Sequence, residues 1–186
     1  MAVQGNGTSA IGDPGSPRYA RDDENRGGTN QIIRPGQDSD APAFIALIER
    51  CWSDYENCRL YVDADEPDLR ALASYYAATG GALWIANEGK GMIATRPAID
   101  LIWEICRVYV MPNYHGTGLA NVLLHTAERY ALDRGALEFE LWTDTRFTRA
   151  HRFYEKNGYR RQSQQRTLHD TNGPFAEFRY WKAVQA

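Results

Sequence analysis

One short segment, Val110-Met111-Pro112-Asn113-Tyr114-His115-Gly116-Thr117-Gly118-Leu119-Ala120, constrains this chain more than any other. An apolar strand runs into a proline-containing loop, and a glycine-bearing turn then opens a helix. The first amides of a helix lack partners within it and lie at the positive end of its dipole. Glycine lets the backbone approach a ligand closely. The segment therefore suits a phosphate or diphosphate. A Walker-type loop requires Gly-Lys-Ser/Thr, and no such lysine follows Gly118. A dinucleotide fingerprint is weakened. It requires a small residue where Asn121 stands and glycines at the strand end, where Met111 to His115 intervene; Glu138 or Glu140 would supply its acid about 20 residues on. A helix start that binds nothing stays open.

The chain has 186 residues, 43% of them hydrophobic, enough for one domain with a full core. A formal charge of -3 and the absence of long basic runs argue against a nucleic-acid partner. Apolar runs are too short to span a membrane, and the first residues lack the apolar core of a secretory signal. Cys51, Cys58 and Cys106 show no metal-type spacing and read as free thiols. A reducing, cytoplasmic setting without a metal site is the expectation. Residues 1–30 are rich in Gly, Ser, Pro, Asp and Arg and are predicted to be a disordered extension. The folded domain is predicted over 31–186.

The domain opens with a strand at Gln31–Arg34. Asp38, Ser39 and Asp40 offer an N-cap, and Phe44, Ile45, Ile48, Cys51 and Trp52 follow at helical spacing. A second helix is predicted from Glu66-Pro67 to Gly80-Gly81. Strands at Leu83–Ala86 and Gly91–Thr95 flank Asn87-Glu88-Gly89-Lys90 as a hairpin. A longer strand covers Leu101–Val110, a helix runs from the glycine turn to Gly135, and Leu137–Trp142 is the next strand. A helix at about 148–157 and strands at about Tyr159–Leu168 and Phe175–Trp181 complete the chain. The order β-α-α-β-β-β-α-β-α-β-β predicts a mixed α/β domain.

Two motifs carry a family resemblance. The glycine turn reads His115-x-x-Gly118-x-Ala120, which resembles the Arg/Gln-x-x-Gly-x-Gly/Ala motif of the GNAT superfamily of N-acetyltransferases. One strand later, Ala150-His151-Arg152-Phe153-Tyr154-Glu155-Lys156-Asn157-Gly158-Tyr159 is similar to that superfamily's second signature. The resemblance spans most of the chain from Ile32 onward. It implies an α/β (α+β) acyl-CoA N-acyltransferase fold, a mixed central sheet with splayed central strands flanked by helices. It also implies acetyl-CoA as co-substrate and an amine as acceptor. Dimers are common in the family, which leaves a homodimer open. By the resemblance, the pantetheine arm pairs with backbone from Val108 through Tyr109 to Val110, and the diphosphate rests on amides of His115, Gly116, Thr117, Gly118, Leu119 and Ala120. Two positions depart from the pattern. His115 replaces the usual Arg or Gln, and Phe147 stands where many members carry an Asn that contacts the cofactor arm, leaving Thr148 to supply that contact.

Amide formation needs an amine that loses a proton, a polarised thioester carbonyl and an acid for the thiolate. By the resemblance, Tyr154 is that acid; read without it, Tyr154 is a half-buried packing residue. Glu104 is the candidate base. In a regular strand it shares a face with Ile102, Cys106, Val108 and Val110, and a carboxylate on so apolar a face would hold a proton more readily. The alternative is a glutamate paired with an arginine, and a strand bulge would change the facing. By the resemblance, the acceptor pocket is expected at the first two helices and the loop between them, where Asp54, Glu56, Asp63, Asp65 and Glu66 would favour a cationic amine; the alternative is a solvated loop followed by ordinary acids at a helix N-terminus. His125 and His151 are expected at the surface, and His169-Asp170 in the last loop. The acceptor reads as a small-molecule amine or an amino acid; a protein amine, or a non-catalytic acyl-CoA sensor, is the alternative.

Overall fold

The computed structural model describes residues 32–184. The predicted extension at 1–30 lies outside them, as does Gln31. Strand β1, Ile33–Pro35, passes through a 3-10 turn at Asp38–Asp40 into helix α1, Ala41–Trp52. Asp40 sets that entry angle: its carboxylate takes both terminal nitrogens of Arg34, at 2.8 and 2.7 Å, and the Gln37 amide at 2.9 Å. Pro42 sits in the first turn, where its missing N–H leaves no bond unmade. Phe44, Leu47 and Ile48 are fully buried on the inner side of α1.

The predicted second helix is instead two pieces, a 3-10 turn at Pro67–Ala71 and α3 (Leu72–Ala78), and a short helix that was not predicted, α2 (Val62–Asp65), precedes them. The interruption has a steric cause. A residue before proline avoids the helical region, and Glu66 takes φ -136°, ψ 51°. Ala71 leaves helical geometry a second time, at φ -142°, ψ 46°.

Strands β2 (Ala82–Ala86) and β3 (Gly91–Pro97) form the expected hairpin, and β4 spans Ile102–Val110. Helix α4 (Leu119–Leu132) crosses over to β5 (Glu138–Asp144), which runs parallel to β4. Helix α5 (Thr148–Lys156) then leads to β6 (Arg160–Asp170) and β7 (Gly173–Ala183). The sheet order is β1-β2-β3-β4-β5-β7-β6, so β7 inserts between β5 and β6. The final hairpin is longer than predicted. His169 and Asp170 are not loop residues but pair with Pro174 and Gly173.

Alternation along the strands builds two cores. Leu83, Ile85, Met92 and Ala94 pack under α1 and α3. Trp84, Ile93, Trp103, Ile105, Phe139 and Leu141 pack under α4 and α5. Gly91 permits the close approach of α4, since a Cβ there would lie 2.8 Å from Leu123 Cδ1. Among the described residues no helix is long and apolar enough to cross a membrane.

A buried polar cluster ties the end of α5 to α4 and β7. The Tyr159 hydroxyl donates to Glu128 Oε1 at 2.7 Å, and Lys182 Nζ reaches the same oxygen at 2.7 Å. Tyr159→Phe should lower unfolding stability by about 1–2 kcal/mol, because Glu128 loses a buried donor and keeps only Lys182. Urea melts of the two proteins check this.

Candidate active site

The site begins where two parallel strands part. β4 and β5 pair only through Ile102↔Glu138, Trp103↔Phe139 and Glu104↔Glu140. Beyond these, β5 stays paired to β7 as far as Asp144↔Glu177, while β4 stays with β3. The edge of β4 from Ile105 to Val110 therefore faces a gap.

A bulge in β4 decides what looks into that gap. Met92 pairs with Tyr109 and Ala94 with Cys106, so Arg107 and Val108 together oppose Ile93. Arg107 has a left-handed backbone, φ 53°. Regular alternation is lost here, and the expected single face does not form. Glu104 shares its side with Cys106 and, past the bulge, with Tyr109, next to the α1 and α3 core. Val108 and Val110 fall on the opposite side with Trp103 and Ile105. A non-glycine residue in this backbone region costs about 1–3 kcal/mol. Two ion pairs hold it, Arg107 Nη2 to Glu66 at 2.6 Å and to Asp68 at 3.0 Å.

A cavity of about 550 Å³ fills the gap, within the range of small-ligand sites. Tyr154 reaches it from α5. Its side chain is 6% exposed and packs against Phe153, Tyr159 and Tyr180. Its hydroxyl has no hydrogen-bond partner among the described residues. Burial raises its pKa, with the Tyr109 and Cys106 side chains nearby adding to the effect, so the phenol stays protonated. Cys106 also lines the cavity, but burial pushes its thiol up to about 12, and it is inert.

Glu104 lines the cavity too, in an ion pair rather than on a purely apolar face. Arg96 donates Nε and Nη2 to its Oε2 at 2.8 and 2.7 Å, and Nη1 to the Tyr75 hydroxyl at 2.7 Å. A further carboxylate that no motif singled out, Glu177 on β7, also lines the cavity. Burial raises its pKa; Arg166, whose Nε lies 2.6 Å from Oε2, opposes that, and the carboxylates of Asp144 and Glu104 reinforce it. Alternation in the last strand placed Glu177 on one face without revealing which.

The expected acidic acceptor loop is mostly neutralised. Asp54 pairs with Arg50 and Asp63 with Arg70, both away from the cavity lining. Asp65, Glu66 and Asp68 do line it. The rims of the cavity are joined. Thr171 donates its amide and hydroxyl to Asp65 at 3.0–3.2 Å, and Asn172 exchanges two hydrogen bonds with the Arg59 backbone at 3.1 and 2.8 Å. Arg146 pairs with Asp144 at 2.6 Å and donates to the carbonyls of Glu56 and Asn57.

At the other end, a 3-10 turn at Pro112–Tyr114 leads into the glycine turn. The amides of Gly116, Gly118 and Ala120 make no hydrogen bond among the described residues. Gly118, the N-cap of α4, has φ 87°, and Leu119 behind it is fully buried, which anchors the turn. The Thr117 hydroxyl donates to the Tyr114 carbonyl at 2.8 Å and lies 3.4 Å from the Leu119 amide. His115 bridges two elements: Nε2 lies 3.0 Å from the Val110 carbonyl and Nδ1 lies 2.6 Å from Arg149 Nη1. Arginine has only donors, so Nδ1 accepts and Nε2–H donates, which defines a neutral imidazole. That carbonyl also receives Cys51 Sγ at 3.5 Å. Phe147 caps α5 just before Thr148 and packs on Tyr55, ring centroids 4.6 Å apart. His125 is exposed as expected. His151 is not: it bonds the Asp144 carbonyl at 2.9 Å and stacks on Tyr180.

The profile of the Acetyltransferase (GNAT) family matches residues 43–159. The chain belongs to the GNAT family. It is an N-acetyltransferase, an acyltransferase enzyme, and its fold is that of the family. An uncharacterized N-acetyltransferase of Mycobacterium tuberculosis is 42% identical over 108 residues, covering 56% of this chain and 69% of that protein. The mycothiol acetyltransferase of Salinispora arenicola is 32% identical over 146 residues, 74% of this chain but only 46% of the relative. Among solved structures, a GNAT acetyltransferase of Staphylococcus aureus Mu50 has a TM-score of 0.69 at 21% identity, covering 83% of this chain and 99% of its own. The PaiA N-acetyltransferase of Thermoplasma acidophilum, solved in complex with coenzyme A, has a TM-score of 0.65 at 19% identity, covering 84% and 100%. The family and this neighbour support acetyl-CoA as the acyl donor.

A Cβ at Gly118 would meet nothing within 4 Å, so only the backbone geometry demands glycine there. Gly118→Ala should cost about 1–2 kcal/mol of stability through the left-handed φ. It should also raise the Kd for coenzyme A about tenfold, by turning free amides away from the phosphates. Thermal melts and calorimetry read the two effects separately.

Proposed function

We propose that this GNAT enzyme transfers the acetyl group of acetyl-CoA to the primary amine of a small molecule or amino acid by direct attack, with Tyr154 as the acid for the departing thiolate. The observation that carries the reading is a buried phenol without a hydrogen-bond partner, lining the cavity where β4 and β5 have parted. Its raised pKa keeps the proton available, and a coenzyme thiolate is a natural recipient.

In this reading the diphosphate rests on backbone from His115 through Gly116, Thr117, Gly118 and Leu119 to Ala120. The neutral imidazole gives little positive potential, so the free amides do most of the binding. The pantetheine arm runs along the unpaired edge at Val108, Tyr109 and Val110, as an added strand would. The Val110 carbonyl is already engaged by His115 and Cys51, which shifts the arm's hydrogen bonds toward Val108. Phe147 gives an apolar wall in place of a polar contact, and Thr148 lies beside it. Glu104, oriented by Arg96, faces the acceptor and attracts its ammonium.

The joined rims favour a small acceptor over a protein. Hydrogen bonds between Asp65 and Thr171 and between Arg59 and Asn172 bridge the rims on one side of the cavity, which supports an acceptor that enters as a small molecule. A mass-spectrometric screen of mixed primary amines with acetyl-CoA should yield an acetylated product and stoichiometric free coenzyme. Acetylation of intact proteins but of no free amine would point to the protein acceptor instead, and coenzyme binding without turnover to a sensor. Tyr154→Phe should lower kcat at least tenfold while leaving acetyl-CoA affinity nearly unchanged; unchanged turnover removes Tyr154 from the chemistry.

A further inference from the structure

Three carboxylates on β4, β5 and β7 line the cavity, and they differ in how fully each is neutralised. Asp144 is gripped by Arg146 through Nε and Nη2 and also accepts the Arg146 amide at 2.8 Å. Glu104 is gripped by Arg96 through two nitrogens. Glu177 has one contact, from Arg166 Nε to Oε2, and Oε1 has no partner among the described residues. Arg166 is 42% exposed, whereas the Glu177 side chain is 15% exposed, so water screens the cation more than the anion.

Position along the strands separates them further. Glu104 pairs with Glu140, the last level at which β4 and β5 remain joined. Glu177 pairs with Asp144, at the far end of β5, where β4 has moved away and the gap is open. The charged neighbours of Glu177 are Arg166 on β6, Asp144 at the end of β5 with Arg146 in the loop after it, and Glu104 on β4 with Arg96 on β3. Asp65 and the Arg107 cluster line the facing wall of the same cavity.

We propose that Glu177 is the catalytic base that takes the proton from the acceptor ammonium. The proposal rests on the acetyltransferase reading above. The ammonium gives one proton to the Glu177 carboxylate and becomes a free amine. Its lone pair forms the C–N bond at the thioester carbonyl. As the tetrahedral adduct collapses, the C–S bond breaks and the sulfur takes the Tyr154 proton. The second proton, lost from nitrogen, restores the phenol, and Glu177 releases its own to water. A carboxylate raised by burial fits this task, since it accepts a proton nearer neutrality than an ordinary glutamate. The base must be ionised to act, so activity falls as the pH drops through that raised pKa.

The test compares wild type, Glu177→Gln, Glu177→Asp and Glu104→Gln across pH, with benzylamine or whichever alkylamine of the screen is turned over faster. At pH 7, Glu177→Gln should lower kcat/KM about 100-fold. The loss should shrink as the pH rises and free amine becomes abundant. Its acid limb should then follow the amine alone. Glu177→Asp should regain part of the rate, and Glu104→Gln should keep the wild-type acid limb. Calorimetric binding of acetyl-CoA by each variant establishes that the fold and the donor site are intact. A wild-type pH profile in Glu177→Gln, or loss of the limb in Glu104→Gln alone, overturns the assignment and leaves the transferase reading standing. Wild-type protein that binds acetyl-CoA but acetylates no amine overturns both.

Discussion

Everything in this molecule depends on the parting of β4 from β5 after three residue pairs. Two parallel strands would ordinarily satisfy each other's amides and carbonyls along their length. Here each stays with its other neighbour, β4 with β3 and β5 with β7, and the cost is an unpaired edge in the middle of a sheet. A ligand that offers backbone-like donors and acceptors recovers that loss. The buried phenol of Tyr154 and the carboxylates line what the gap encloses.

The bulge at Arg107 is the second half of the same device. One extra residue in β4 turns Val108 and Val110 onto the α4 side and leaves Glu104, Cys106 and Tyr109 on the other. Its left-handed backbone is held by Glu66 and Asp68, which lie just where the helical chain is broken by Pro67. The interrupted helix and the bulged strand thus support each other, and together they shape one wall of the cavity. Hydrogen bonds at the rims carry that wall over to the β6–β7 hairpin.

Electrostatics in the cavity follows from this geometry. Most carboxylates lining the cavity have an arginine partner; Asp65 is held instead by Thr171 and Asp170 by Asn172. Glu177 stands apart because its arginine belongs to an edge strand and is half in water. His115 differs from its family pattern in the same structural way: it spends both ring nitrogens on Val110 and Arg149, linking the end of β4 to the start of α5.

The element order, the helix opened by Gly116-Thr117-Gly118, the hairpin at Asn87–Lys90 and the family were all legible in the sequence. Each rests on local chemistry: glycine at positive φ, apolar residues at helical or alternating spacing, and a run of residues around Tyr154 dense enough to recognise. The facing of Glu104 was not legible, because a bulge is decided by how β3 and β4 register and not by either strand alone. Glu177 was silent for a similar reason. A glutamate in an alternating strand has no special character until β7 is inserted beside β5 and carries it to the open end of the gap. Local sequence determined the pieces and their order, since propensity and periodicity act over a few residues. Only the tertiary structure decided which carboxylate meets the cavity and which is neutralised, since burial and ion pairing depend on residues brought together from distant parts of the chain.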